Sequence, residues 1–139
     1  LFKRRNKGNL TMASADKSGI LKIQRALKNS ELVGMLPDQD PGEEGGIMSP
    51  FFNRRVNTMT LLAKIVKKND LQVLIFWAKR LPKGKGYELN LKPVDLNING
   101  DTLEGRVASM NQCVETLIRK MPEQYMWSYK RFKSTHSYH

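Results

Sequence analysis

The stretch ELVGMLPDQDPGEEGG, residues 31–46, decides the fold predicted from this sequence. Residues 31–36 form an apolar run that ends at a proline, which is typical of a strand covered on both faces. A loop follows from Pro37 to Gly46, and carboxylates and glycines are concentrated there. Carboxylates next to a buried strand are unexpected in a basic chain. This loop, called the acidic loop below, is therefore the first candidate for a functional site.

The segment after the acidic loop predicts a helix and then a second strand. Thr58 is a credible cap for a helix from Met59 to Lys68, whose apolar residues recur at helical spacing. The run LQVLIFWA, residues 71–78, is predicted to be a buried strand. Strand, helix and strand in this order imply a right-handed parallel crossover. The expected fold class is α/β, with a mixed, mostly parallel sheet flanked by helices.

The remaining pattern adds three helices and one antiparallel strand. A helix is predicted from Lys17 to Lys28, capped by Asp16 or Ser14, and another from Asp101 to Met121. YELNLKPV, residues 87–94, alternates apolar and polar side chains after the turn-rich KRLPKGKG, which predicts an antiparallel edge strand. The segment PEQYMWSYKRFK, residues 122–133 and called the terminal segment below, is predicted to be the last helix.

Length and charge narrow the functional classes. The 139 residues, 16.0 kDa, are expected to form a single domain, and their net charge of +11 points to an anionic partner. Nucleic acid, phosphorylated lipid, a membrane surface and an acidic protein all remain open. No apolar run approaches the roughly 18 residues of a membrane-spanning helix. The single cysteine, Cys113, is expected to pack in a helix and fits a reducing compartment.

Common catalytic and metal motifs are missing from these residues. The histidines, His136 and His139, lie in the polar tail without a nearby carboxylate partner, and cysteine and histidine are too few for a zinc site. The acidic loop lacks the spacing of an EF-hand, so no metal is predicted. Asp38 follows the first predicted strand directly, where open parallel sheets place their active sites. It is the best-placed candidate.

Two segments with basic residues are also candidates for binding: the terminal segment, which adds aromatic residues, and the pair Arg54 and Arg55. Tyr125, Tyr129 and Phe132 would share one face of the predicted last helix, with cationic residues beyond it. Such a helix suits a membrane interface, stacking on single-stranded nucleic acid, or simple covering of the core. Arg54 and Arg55 lie before the second predicted helix, where they could bind phosphate.

Several segments together resemble the late acyltransferases of bacterial lipid A biosynthesis, the lauroyl and myristoyl transferase group. The resemblance lies in GMLPDQDPGEEGG, PFFNRRVNTMTLLAKI, RLPKGKGYEL and MNQCVETLIRKMPEQYMWSYKRFK, and more weakly in KRRNKGN. These segments occur in the family's order and cover most of the chain. The PDQDPG and PEQYMW blocks are the specific ones.

The resemblance implies a fold like that of the glycerolipid acyltransferases. It implies transfer of an acyl chain from acyl carrier protein to a hydroxyl of a phosphorylated, acylated glucosamine disaccharide, at the cytoplasmic face of the bacterial inner membrane, without a cofactor. In the family a histidine, followed five residues later by a carboxylate, activates this hydroxyl. These residues are expected upstream, and none of the catalytic pair is in this chain. We therefore expect residues 1–139 to be the carboxy-terminal part of an acyltransferase domain, inactive alone.

The resemblance also assigns residues of this sequence. Arg4 matches a functional arginine of the family, although a lysine replaces the first glycine of its GRxRxG block. Asp38 matches the acidic residue of the third conserved block, which shapes the acceptor site. The predicted substrate-binding residues are Arg4, Asp38, Asp40, Arg54 and Arg131, and the family signature includes Glu123, Tyr125 and Trp127. Departures include Met48, where an aromatic residue is usual, and Asn53, where glycine is usual.

Two rival functions remain: a basic nucleic-acid-binding module, and a peripheral membrane-binding domain without chemistry. The acidic loop argues against the first, because carboxylates beside the binding surface would repel phosphates. An acyltransferase site tolerates carboxylates near sugar hydroxyls. The leading interpretation is therefore an acyltransferase that binds acyl carrier protein, the lipid A precursor and the inner-membrane surface, and no nucleic acid.

Overall fold

The first helix begins where the sequence predicts it. The computed structural model describes residues 10–14 and 16–133, which form two units divided between Met35 and Leu36. In the first unit, α1 spans Lys17–Lys28, and the Asp16 carboxylate accepts a hydrogen bond of 2.9 Å from the Gly19 N–H. The Ser18 hydroxyl, the Gly19 N–H and the Ser14 hydroxyl, which all donate to this carboxylate, lower the pKa of Asp16 to about 2. The predicted helix and its Asp16 cap are confirmed.

The strand predicted over residues 31–36 is wrong. That segment has no regular secondary structure, and Leu32 is 93% exposed. Without this strand, residues 10–14 and 16–133 contain no parallel crossover. The second unit holds two separate two-stranded antiparallel sheets, so the mixed α/β composition is confirmed but the mostly parallel sheet is wrong for the described residues. A short apolar run interrupted by Gly34 does not distinguish a buried strand from an extended linker.

The first sheet is a hairpin that follows the acidic loop. Strand β1 spans Gly46–Phe51 and pairs with β2, Arg54–Met59, in the register Ser49↔Val56. The two turn residues, Phe52 and Asn53, have φ values of 48° and 59°. Positive φ at both positions is what a tight turn needs to match the twist of the strands. Asn53 tolerates this conformation better than most residues, which explains how it can occupy a position where glycine is usual.

A helix and a second hairpin follow. Helix α2 spans Leu61–Asn69, so the predicted helix is present but starts later, and Thr60, not Thr58, is at its N-terminus. Strand β3, Val73–Arg80, pairs with β4, Tyr87–Val94, and the connection contains a 3₁₀ turn at Pro82–Gly84. The strand predicted over residues 71–78 is present with shifted bounds, but it is not buried, since Phe76 is exposed. The antiparallel edge strand over residues 87–94 agrees with the sequence pattern.

Helix α3, Leu103–Lys120, supports both parts of the core. Thr102 caps it by accepting the Gly105 N–H at 3.0 Å. One cluster forms around Ala63, Leu96, Val107 and Met110. The other forms around Phe51, Val56 and Ile118. The helix predicted over residues 101–121 is thus confirmed with slightly narrower bounds, and it links the two clusters along its length.

The terminal segment is not the predicted helix. Pro122–Gln124 forms a 3₁₀ turn, and residues 125–133 continue mainly as turns rather than as an α-helix. Proline suits the first turn of a helix, but the chain then turns back so that Tyr125 and Phe132 reach the second cluster. Among the residues that the structure describes, no helix is both long and apolar enough to cross a bilayer.

Candidate functional site

The terminal segment holds the acidic loop at Asp40. The backbone N–H of Asp40 donates to the Tyr129 hydroxyl at 2.8 Å, and the Lys133 ammonium lies 3.3 Å from its carboxylate. Asn57 of β2 donates to the same carboxylate at 3.1 Å and to the Gly42 carbonyl at 2.6 Å. The Asp40 side chain is only 2% exposed. The loop is therefore fixed by residues that lie up to 93 positions away in the sequence.

The charge of Asp40 is maintained despite its burial. Desolvation raises the pKa of the carboxyl group, but the Gly42 N–H, the Lys133 ammonium and the Asn57 amide together outweigh it. The net pKa lies below its ordinary value of 3.8. A carboxylate that accepts several hydrogen bonds and faces a cation is stabilised in its charged form. Asp40 is thus built as an anionic anchor for the loop.

A second polar network lies beneath the loop, centred on Arg131. This side chain is 1% exposed and donates to the Asn57 carbonyl at 2.5 Å and to the Thr58 hydroxyl at 2.9 Å. Asn111 of α3 donates to the same hydroxyl at 3.0 Å and to the Pro50 carbonyl at 2.9 Å. Because a buried guanidinium loses its hydration, the hydrogen bonds of Arg131 to β2 fix the terminal segment to one position, and Asn111 links the same hydroxyl of β2 to β1 and α3.

Asp38 lies beside this network without being part of its hydrogen bonds. It is half-buried, and its charge acts on Tyr125 and Arg131. Burial raises the pKa of the Tyr125 hydroxyl, and the negative charge of Asp38 raises it further. Burial lowers the pKa of Arg131, whereas Tyr125, Asp40 and Asp38 oppose that change. The Tyr125 hydroxyl is buried and makes no hydrogen bond within the described residues. Of the two carboxylates Asp38 and Asp40, Asp38 is the one that keeps partial access to solvent.

The guanidinium of Arg131 lies over one aromatic ring of a larger aromatic group. Its Cζ lies 5.4 Å from the centre of the Phe51 ring, which in turn contacts Phe132 at 5.8 Å. Tyr125 meets Trp127 edge-on at 5.0 Å, and the Trp127 indole N–H donates to the Pro122 carbonyl at 2.7 Å. Trp127 nevertheless remains largely exposed. The predicted aromatic face is thus directed into the core, with Trp127 at its margin.

The structure brings only part of the predicted site together. Asp38, Asp40, Tyr125 and Arg131 converge, whereas Glu123 is exposed in the 3₁₀ turn. Arg54 is exposed at the start of β2, and Arg55 follows it in the same strand, so neither lies at a helix start as predicted. Arg4 lies outside the described residues.

Two residues that build the site, Asn57 and Asn111, were missed by sequence reasoning. Thr58 was assigned to a helix cap instead, and Tyr129 and Lys133 were considered only as part of the predicted last helix. The sequence offered one weak signal for these contacts, the position of Asn111 within the apolar pattern of a helix. A buried amide there needs hydrogen-bond partners. Within the described part of the chain, no group of three or more histidine, cysteine, aspartate or glutamate side chains is placed to hold a metal.

A polar groove lies on the other side of β1. Its volume is about 780 Å³, and it runs between β1 and α3. Arg55 and Arg119 line it together with Ser49, whose hydroxyl is buried without a hydrogen-bond partner in the described residues. The Arg55 guanidinium donates to the Met48 carbonyl at 2.7 Å. Glu104 and Glu115 also line the groove, and Glu115 forms an ion pair of 2.9 Å with Arg119, so the groove carries charges of both signs.

Comparison with known proteins identifies the family to which these blocks belong. The family model for bacterial lipid A biosynthesis acyltransferase matches residues 1–134. The chain belongs to this family. It is 33% identical over 120 residues to the lipid A biosynthesis lauroyltransferase of Escherichia coli K12, covering 86% of this chain and 39% of that enzyme.

Two further relatives are also named as enzymes of lipid A biosynthesis. The palmitoleoyltransferase of Escherichia coli K12 is 33% identical over 113 residues, which is 81% of this chain and 37% of that enzyme. A lipid A biosynthesis acyltransferase of Haemophilus influenzae is 30% identical over 122 residues, which is 86% of this chain and 39% of that protein. The chain thus spans about two fifths of the length of the curated relatives it matches. The acidic loop and the terminal segment both lie within the family match.

Proposed function

We propose that this chain is part of an enzyme that transfers a fatty acyl chain from acyl carrier protein to a hydroxyl of the lipid A precursor, a phosphorylated and acylated glucosamine disaccharide. The family match over residues 1–134 carries this proposal, because it includes both segments that meet at Asp40. The catalytic histidine and its carboxylate would come from polypeptide outside these residues. The relatives' names, lauroyltransferase and palmitoleoyltransferase, support transfer of an acyl group.

Within this proposal the predicted binding residues have different roles. Asp38 would accept hydrogen bonds from sugar hydroxyls, because it belongs to the fixed acidic loop and keeps partial access to solvent. Asp40 and Arg131 are almost completely covered, so they would position the loop and the terminal segment for the substrate. Arg4 and Arg54 are the proposed phosphate contacts. Glu123, Tyr125 and Trp127 would shape the terminal segment.

The proposed partners follow from charge. A net charge of +11 favours both the phosphates of the acceptor and an acidic carrier protein, and it favours the anionic cytoplasmic face of the inner membrane. Nucleic acid is not among the proposed partners. Stacking on bases needs accessible aromatic faces, whereas Tyr125 and Phe132 pack on the Phe51 cluster. The proposal includes no metal or organic cofactor.

The first experiment uses the chain as it is. We expect no acylated product when the 139-residue polypeptide is incubated with acyl carrier protein thioester and a tetra- or penta-acylated precursor. The physical reason is that the base that deprotonates the acceptor hydroxyl is expected elsewhere in the domain. Clear turnover, measured by mass spectrometry of the lipid, would contradict the assignment of catalysis to residues outside this chain.

The second experiment restores a complete domain. The segment of the Escherichia coli lauroyltransferase that matches this chain is replaced by the chain itself, and acyl transfer by the chimera is measured in membranes. We expect activity, and we expect Asp38→Asn to lower it by about 10- to 100-fold, because the acceptor would lose a positioning contact. Glu43→Gln, at an exposed position of the same loop, is the matched control and should retain activity. Equal activity of the two variants would remove Asp38 from the site.

A further inference from the structure

The second hairpin presents an uncovered apolar face. Directly opposed residues of an antiparallel pair point to the same side, so the register puts the pairs Leu74↔Pro93, Phe76↔Leu91 and Ala78↔Leu89 on one face. Phe76 is 56% exposed and Leu91 is 61% exposed. These three pairs carry no charged side chain, and the next pair on the same face, Arg80↔Tyr87, brings a cation at the tip of the hairpin. A contiguous apolar surface of this kind on a soluble domain marks a contact site.

The opposite face of the same hairpin is anchored. Val73 and Val94, which are directly paired, pack against the cluster of Ala63, Leu96 and Val107. The hydrophilic positions that alternate with the apolar ones, such as Lys79 and Lys92, also belong to this anchored side. The hairpin is therefore packed on the core at the Val73 and Val94 end, and near its tip the Arg80 N–H donates to the Gln124 side chain at 2.7 Å, while the other face is left open.

The outer edges of the hairpin are open as well. Among the described residues, β3 pairs with β4 alone and β4 with β3 alone. A two-stranded sheet is marginally stable in water, and stable sheets have at least three strands or a covering layer on the apolar face. The hairpin has the composition of a sheet interior but lacks the layer that would cover it.

The comparisons supply a specific occupant. The chain corresponds to 39% of the Escherichia coli lauroyltransferase and to 37% of the palmitoleoyltransferase, so most of each relative lies outside the matched segment. A bilayer is a weaker candidate, because its surface would favour cations along the face, whereas those of β3 and β4 lie at the hairpin tip or on the anchored side. We propose that the apolar face of the β3–β4 hairpin is the surface against which the rest of the acyltransferase domain packs.

This proposal rests on family membership and not on the proposed reaction, so the two can fail separately. The test measures maleimide labelling of Leu91→Cys in two proteins: the 139-residue chain, and the chimera in which the chain replaces the matched segment of the Escherichia coli lauroyltransferase. Cys113 and the other cysteines are replaced by serine. Lys92→Cys, one position away and on the opposite face, is the control.

We expect the Leu91→Cys variant to be labelled at least about tenfold more slowly in the chimera than in the isolated chain, because a covered position reacts only after local opening. The Lys92→Cys variant should change much less. Equal labelling of the Leu91→Cys variant in both proteins overturns the proposal. Protection of the isolated chain by vesicles of phosphatidylglycerol and phosphatidylcholine, or by its own concentration, with none in the chimera, assigns the face to a bilayer or to a second copy and also overturns it.

A second measurement avoids dependence on the chimera. The unmatched part of the Escherichia coli lauroyltransferase is co-expressed as a separate polypeptide and purified through a tag on this chain. The wild-type chain and its Lys92→Ser variant should retain the partner, whereas Phe76→Ser and Leu91→Ser should lose it. Failure of the folded wild-type chain to retain the partner, or equal retention by all four proteins, would count against the proposal.

Discussion

The two hairpins of the second unit differ in how completely neighbouring elements cover them. The β1–β2 hairpin is enclosed by α3, the acidic loop and the terminal segment, and its polar groups bind Arg131, Asn111 and Asp40. The β3–β4 hairpin is packed on one side and open on the other. One region is thus packed within the described residues, while the other leaves an apolar face exposed. Identical substitutions in the two regions should therefore have very different consequences.

The largest expected difference comes from phenylalanine truncation. Phe51 is 1% exposed at the centre of its cluster, whereas Phe76 lies on the open face. Phe51→Ala should lower the free energy of unfolding by about 3–5 kcal/mol, through lost burial and the cavity left behind. Phe76→Ala should cost less than about 1 kcal/mol, as expected for a surface position. Urea unfolding of both variants measures this contrast, and equal losses would mean that the open face is covered in solution.

Removal of Arg131 should have the next largest effect. Arg131→Met keeps much of the side-chain volume but deletes the donors to Asn57 and Thr58. We therefore expect it to lower the free energy of unfolding by about 2–4 kcal/mol. Arg131→Lys should not rescue it fully, because an ammonium does not reproduce the planar geometry of the guanidinium. Lys120→Met, at an exposed position on α3, is the control and should lie within about 0.5 kcal/mol of the wild type. An unchanged free energy of unfolding in Arg131→Met would show that the network does not fix the terminal segment.

A smaller effect is expected at Tyr129. Tyr129→Phe removes only the oxygen that accepts the Asp40 N–H, which should cost about 1–2 kcal/mol because that donor becomes unsatisfied. Tyr87→Phe deletes a hydroxyl on the open hairpin and should change the free energy of unfolding by less than about 0.5 kcal/mol. Hydrogen exchange at Asp40 gives a local readout. Unchanged protection of this amide in Tyr129→Phe would contradict the proposed hold on the acidic loop.

The difference between local signals and tertiary contacts explains which elements could be predicted from the sequence. Helix α1, strands β3 and β4 and helix α3 follow from local signals, such as the Asp16 cap and the alternation of Leu89 and Leu91 with polar residues. The β1–β2 hairpin was not assigned because Pro50 interrupts its strand and its turn lacks glycine. The acidic loop was singled out for the wrong reason, since no buried strand precedes it. Pairs such as Asp40 with Tyr129 depend on tertiary packing, which no local pattern encodes.

The pH dependence of Asp40 gives the smallest and most specific test. Because the folded-state pKa of this carboxyl lies below its ordinary value of 3.8, its contribution to stability is present above that value and is lost as the pH falls through the lower folded pKa. Asp40→Asn should therefore be less stable than the wild type at pH 6, and the difference should shrink as the pH falls below 3.8. Urea midpoints of both proteins across that range measure it. A difference that stays constant with pH would mean that the anchor acts through hydrogen bonds alone, without the charge that Lys133 faces.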